Sequence, residues 1–158
     1  MKKHLREYNE IKSKIIEDSF HDLKNKKIII LESKLSNLKG MALRPLPWLN
    51  LIILNKDVKD KDDEYKMGLI VHELSHIDLY QKMSWFKYLY EGFLYITSKK
   101  FRSQNEWETE MHAIKKGYVN QVFHYSKERK DFRLKYGYMT SDSIKEYAAT
   151  LKTTKILD

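Results

Sequence analysis

The chain has 158 residues, a formal charge of +8 and no cysteine. A chain of that length suits one domain that buries about 68–70% of its unfolded surface, so neither disulfides nor a structural metal is needed for folding. Without cysteine, disulfide frameworks, thiolate metal sites and cysteine nucleophiles are excluded together, and any transition metal must be held by histidine and carboxylate.

The opening MKKHLREYNE is charged and never leads into an apolar segment of the signal-peptide kind. No apolar run reaches the ~18 residues of a membrane span. A cytoplasmic location without a transmembrane segment is therefore the expectation. The positive charge favours polyanions in general, although the lysines are spread diffusely.

In chain order, residues 3–23 read as a helix, with Leu5, Tyr8, Ile11, Ile15, Ile16 and Phe20 at three- and four-residue spacing. The β-branched run from Lys26 to Ser33 reads as a buried strand. A loop covers SNLKG, and Arg44-Pro45-Leu46-Pro47 is barred from a helix interior by its two prolines. Trp48 to Asn55 reads as a second strand. A solvated turn follows, and its acids Asp62, Asp63 and Glu64 suit the start of a helix. That helix is expected from about Asp63 to Met83, with Met67, Ile70, Val71, Leu74 and Ile77 as an apolar stripe. Ser84 to Phe101 is dense in aromatics, with Gly92 as a possible break. A further helix is expected from Asn105 to Tyr125, with Gly117 tolerated inside it at ~1 kcal/mol. A basic connection and a short final helix from Ser141 to Leu151, capped by Ser141 or Asp142, complete the chain.

Strand-like runs confined to the first third and helical periodicity afterwards imply an α+β domain. Its parts are an N-terminal helix (about 1–25), a small sheet (26–55), a helical part (63–125) and a basic C-terminal extension (126–158).

The chemistry concentrates in GLIVHELSHIDLY, residues 68–80. On a helix, His72 and His76 project from one face one turn apart and can share a zinc ion at the ~2.0–2.1 Å of Zn–N bonds. Glu73 lies on the adjoining strip, offset from ligation but placed to reach a metal-activated water. Such a pattern also arises by chance on helix surfaces; here it falls within a predicted amphipathic helix. A catalytic zinc needs a third protein ligand. No histidine follows His76 at short spacing, and the next is His112, so a carboxylate on the later helix is expected. NEWETE offers Glu106, Glu108 and Glu110; Glu106 and Glu110 share a face, and Glu108 points roughly to the opposite side.

An HExxH motif followed by a helix bearing a glutamate, with an acid four residues on, resembles the gluzincin metallopeptidases. Asn105-Glu106-Trp107-Glu108-Thr109-Glu110 is similar to the Asn-Glu-x-x-Ser-Asp of thermolysin-like enzymes, with Glu as the final acid. Glu106, Thr109, Glu110 and Ala113 are also similar to the Glu-x-x-Ala-Asp and later Ala of CAAX-type peptidases. The resemblance covers about Gly68 to Gly117. It implies a small zincin-like domain with one zinc per chain on His72, His76 and Glu106. Glu110 then supports a zinc histidine, with Glu110 as the alternative third ligand.

The implied activity is that of a zinc metalloendopeptidase acting on a peptide or protein substrate. In it the metal acidifies a water to a pKa of about 7 and polarises the scissile carbonyl, while Glu73 serves as general base. The zincin plan lays an extended substrate along an edge strand. Trp48–Asn55 is the candidate edge, with Asn50 and Ile52 as substrate contacts, although the same run reads equally as a core strand. His112, Tyr118 and His124 receive no role.

The aromatic block around Trp85 to Ile96 either packs across the motif helix to complete the core or presents an apolar surface to a partner, substrate or membrane. Two other classes stay open. One is a zincin-fold protein with a structural or binding role and no proteolysis. The other is a DNA- or RNA-associated protein that uses SKERKDFRLK and the N-terminal lysines as a phosphate footprint, while Lys87, Lys99, Lys100 and Arg102 beside the aromatic block would suit an anionic membrane surface but equally suit water.

Overall fold

A computed structural model describes residues 3–157, with side chains described for 3–151. Its architecture is α+β: a small sheet formed early in the chain, then a succession of helices. The elements are α1 (Lys3–Asp18), β1 (Lys27–Ser33), β2 (Gly40–Leu46), β3 (Leu49–Asn55), α2 (Asp63–Gln81), α3 (Trp85–Thr97), α4 (Lys99–Lys115), α5 (Val119–Lys127), α6 (Lys130–Tyr136) and α7 (Ser141–Leu157). No helix among the described residues is long and apolar enough to cross a membrane.

Helix α2 runs through the centre of the molecule. Asp62 caps it, its side chain accepting the Tyr65 N–H at 2.8 Å, which satisfies one of the unpaired amides of the first turn. An amphipathic stripe was the expectation, yet burial extends around the helix from Tyr65 to Asp78, broken only at half-buried Met67. Helix α1 lies over it through Tyr8 and Ile15, and α4 and α5 close the other sides. The sheet covers one more face. Ile28 and Ile30 of β1 and Asn50, Ile52 and Leu54 of β3 point inward, while Ile29 and Leu31 face solvent.

The strand order is β1-β3-β2, with β1 parallel and β2 antiparallel to β3. This corrects two expectations. The stretch containing Arg44-Pro45-Leu46 is a strand, read in sequence only as barred from a helix interior. The ladder is irregular between Leu43 and Leu46, so Pro45 sits where no donor is required. The strand expected to form a substrate edge, β3, is instead central, and β1 and β2 are the edges.

The helix boundaries also differ. α1 ends at Asp18, and a tight turn at His21–Leu23 drives Phe20 and Leu23 into the core. Gly92 lies inside α3; the break comes at Ser98, whose hydroxyl accepts the Phe101 N–H at 3.2 Å and starts α4. Gly117 is not tolerated within a helix but ends one. Its φ of +99° separates α4 from α5. The basic connection contains α6, and Thr140 rather than Ser141 or Asp142 receives the Ser143 N–H, at 3.3 Å. The C-terminal region is no appendage, for Met139 and Ile144 are fully buried. Its cations are partly consumed internally: Arg133 is buried against Glu110, and Arg129 bonds the Tyr125 hydroxyl and the Asn37 carbonyl.

The backbone at Gly117 makes a direct prediction. Gly117→Ala meets no atom within 4 Å, so its effect is purely conformational. It should lower the unfolding free energy by about 1 kcal/mol or more in urea titration. The same change at Gly92, inside α3, should leave stability equal or higher.

Candidate metal centre

Two helices build the centre. α2 supplies His72, Glu73 and His76, and α4 supplies Glu106, Thr109 and Glu110 from positions one helical turn apart on one face. All six are buried. The imidazoles of His72 and His76 stand at 90° with centroids 4.8 Å apart. His72 Nε2 lies 3.3 Å from Glu106 Oε2, and His76 Nε2 lies 3.5 Å from Glu106 Oε1. Ligands about 2.0–2.1 Å from a tetrahedral zinc are separated from each other by about 3.3–3.4 Å. The observed separations, one to each oxygen of the Glu106 carboxylate, are close to that edge length and long for direct hydrogen bonds.

The far nitrogens of both rings are answered from α4. The Thr109 hydroxyl donates to the Asn105 carbonyl at 2.9 Å, so toward His76 Nδ1, at 3.1 Å, it acts as acceptor. That holds the proton on Nδ1 and leaves the Nε2 lone pair directed at Glu106, the tautomer a metal requires. His72 Nδ1 lies 3.1 Å from Glu110 Oε1, off the line of a hydrogen bond but close in charge. Glu110 in turn accepts from the buried Arg133 guanidinium, whose Nε also donates to the Met139 carbonyl at 2.7 Å. Glu110, the alternative ligand, therefore stands behind His72, outside the converging group, and Glu108 is exposed.

The electrostatics describe a site balanced for a cation. Burial would lower His72, but Glu110 and Glu106 outweigh it and hold the ring well above its ordinary value. Burial likewise works against the Glu106 carboxylate, and His76 and His72 overcome it, keeping that group well below its usual range. Three buried carboxylates (Glu73, Glu106 and Glu110) thus face two imidazoles and one guanidinium, and a divalent ion fits that charge and donor set.

Glu73 lines the same cleft. Burial pushes its carboxyl up, against the pull of His72 and His76. A Cβ at Gly40 would overlap Glu73 Oε1, so a glycine on β2 is what admits the side chain beside the strand. The cleft encloses about 440 Å³ between β2 (Gly40, Ala42, Leu43), α2 and the inner face of α3 (Tyr88, Tyr95). The Tyr95 hydroxyl donates to Glu106 Oε1 and orients that carboxylate.

Other residues named from sequence lie elsewhere. Asn50 and Ile52 sit on the central strand and are buried. Asn50 bonds the Lys27 carbonyl at 3.3 Å and Gln81 Nε2 at 2.9 Å, and neither residue lines the cleft. The substrate-edge role expected for them is therefore withdrawn, because β2 lies between β3 and the cleft. His112 pairs with buried Asp78 at 2.7 Å, Tyr118 packs on Phe20, and His124 lies 3.1 Å from the capping Asp62. Sequence reading gave no role in the site to Tyr95, Thr109 or Arg133, although Thr109 stood among the positions of the resemblance. Only Thr109 carried a signal, its three-residue spacing from Glu106. Arg133 was one cation among many in a basic run.

Comparisons of the chain with models of protein families, with curated proteins and with solved structures found no match.

Two outcomes follow from this geometry. Zinc titrated into the metal-free protein should bind at one equivalent and release protons, because Glu110 and Glu106 raise the proton affinity of His72, which must lose its proton to ligate. Below the raised pKa of His72, protons compete with metal. Affinity should therefore climb with pH across the neutral range, by up to about tenfold per unit for each proton displaced. Calorimetry in buffers of different ionisation heat measures both, and Glu106→Gln should weaken binding where Glu108→Gln does not. Separately, Arg133→Met leaves Glu110 buried without its partner and should cost about 3–5 kcal/mol in thermal or denaturant unfolding.

Proposed function

We propose that this protein is a zinc-dependent peptidase of zincin-like plan, with His72, His76 and Glu106 as metal ligands and Glu73 as general base. The observation that carries the reading is the convergence of ligand atoms from His72, His76 and Glu106 within 4.8 Å of one another, with a further carboxylate, Glu73, beside them in an open cleft. Zinc in such a set supplies Lewis acidity toward a carbonyl and acidifies water to a pKa of about 7.

The chain's own groups divide the remaining work. Glu73 takes the proton of the attacking water and passes it to the leaving amine, a task suited to a carboxyl whose affinity for protons burial has increased. Tyr95 and Thr109 hold Glu106 and His76 in orientation. An extended peptide is received along the outer edge of β2 at Gly40–Leu43, with backbone hydrogen bonds giving register. The edge ends at Arg44, whose N–H is already bonded to the Tyr88 hydroxyl at 2.9 Å. Apolar residues from β2 and α3 dominate the cleft walls, so large apolar substrate side chains are favoured next to the scissile bond.

Glu73→Gln keeps shape while removing basicity. Zinc content and melting temperature should be unchanged, and hydrolysis of a mixed-sequence unstructured peptide library should fall by about 10²–10⁴. Hydrolysis that survives the substitution would move the base to another residue. A wild-type protein that holds zinc yet cleaves nothing would make the centre a structural one.

A further inference from the structure

Helix α3 has two different faces. Inward, the Tyr88 hydroxyl accepts the Arg44 N–H at the sheet edge, and the Tyr95 hydroxyl donates to Glu106. Outward, Phe86, Leu89, Tyr90, Phe93 and Ile96 follow helical spacing along one stripe. Their exposures are 79%, 46%, 63%, 63% and 76%, and no residue of α3 is buried. Among the described residues, nothing covers this stripe. Scattered exposed apolar residues need no explanation, but five on one helical face form a contiguous patch that does.

Charge decides what covers it. Between Lys82 and Arg102 the chain carries five cations and one acid. Lys82 caps the end of α2 three residues before the helix, Lys87 lies on it, and Lys99 and Lys100 begin α4 after it; all four are exposed. Trp48 adds to the same end of the molecule. It is 68% exposed on the turn between β2 and β3. Arg44 bonds the Pro47 carbonyl at 3.0 Å and the Met83 carbonyl at 3.2 Å, which draws that turn to the start of α3. A second copy docking by two-fold symmetry would set these cations against their own equivalents. An anionic lipid surface satisfies both features at once, taking the aromatic stripe at the acyl boundary and the lysines among the head groups.

We propose that α3 seats the protein on an anionic membrane surface, with Phe86, Tyr90, Phe93 and Ile96 entering the interface. Leu89, Phe93 and Ile96 also line the rim of the cleft, so this seating turns the mouth of the cleft toward the bilayer. The binding requires neither metal nor catalysis and stands apart from the peptidase reading.

Sedimentation of the full-length protein with vesicles tests it, using phosphatidylcholine alone and phosphatidylcholine mixed with phosphatidylserine. The protein should partition onto the mixed vesicles, with or without zinc, and leave them as salt is raised. Phe86→Ser with Phe93→Ser should weaken partitioning by about tenfold or more, from the apolar area lost. Lys99→Glu with Lys100→Glu should weaken it by about tenfold or more through charge alone, which keeps the test independent of any loss of folding in the first variant. Absence of binding to the mixed vesicles at low salt would overturn the proposal. So would equal binding to the uncharged vesicles, or a wild-type dimer that Phe86→Ser and Phe93→Ser dissociate while vesicles fail to bind.

Discussion

The structure is organised by the burial of polar side chains on α2. Lys66, His72, Glu73, Ser75, His76 and Asp78 all lie in the interior on one helix. Each would cost several kcal/mol without a partner. Their partners come from around the molecule. Lys66 reaches Glu7 of α1, Asp78 reaches His112 of α4, and Ser75 returns its hydroxyl proton to the Val71 carbonyl. The positions of α1 and α4 are thus set by the need to answer α2, in addition to the apolar contacts between them.

On α4 that requirement and the candidate metal centre coincide. Glu106 faces the ring nitrogens that point into the cleft, while Thr109 and Glu110 stand behind the rings. The same helical face therefore delivers a candidate ligand and both supports, which hold the two imidazoles in orientation. The support extends one layer further, since Glu110 is held by Arg133 and Arg133 by the Met139 carbonyl. This chain of contacts gives α6 and the segment between α6 and α7 a part in the centre, although neither touches the cleft through these residues. It also distributes charge: a guanidinium deep in the core steadies the carboxylate that raises His72.

Helix α3 joins this buried polar system to the surface. Its tyrosine hydroxyls reach inward to Glu106 and to the edge of the sheet, so its orientation is tied to the centre at two points about two turns apart. With that face engaged, the aromatic stripe has no direction left except outward. The rim of the cleft and the exposed patch consequently share residues, and anything that binds the patch lies against the entrance.

Sequence alone determined the elements whose signals are local. The His72–His76 spacing requires one helical face, Asp62 and its neighbours mark the start of α2, and the runs ending at Ser33 and Asn55 are strands. The three-and-four spacing of α4 likewise placed Glu106 and Glu110 together. Tertiary structure decided what local signals do not contain. Strand order is a matter of pairing, so β3 is central and Asn50 and Ile52 are buried despite an apolar run suited to either position. A strand carrying Pro45 lacked the alternating pattern by which strands are read, and became visible only through its ladder to β3. Gly117 is compatible with a weak helix or with a helix end, and the packing of α5 against α2 selected the end. Arg133 differs from its neighbouring cations in nothing but the carboxylate it meets, because burial is a property of the fold rather than of the residue.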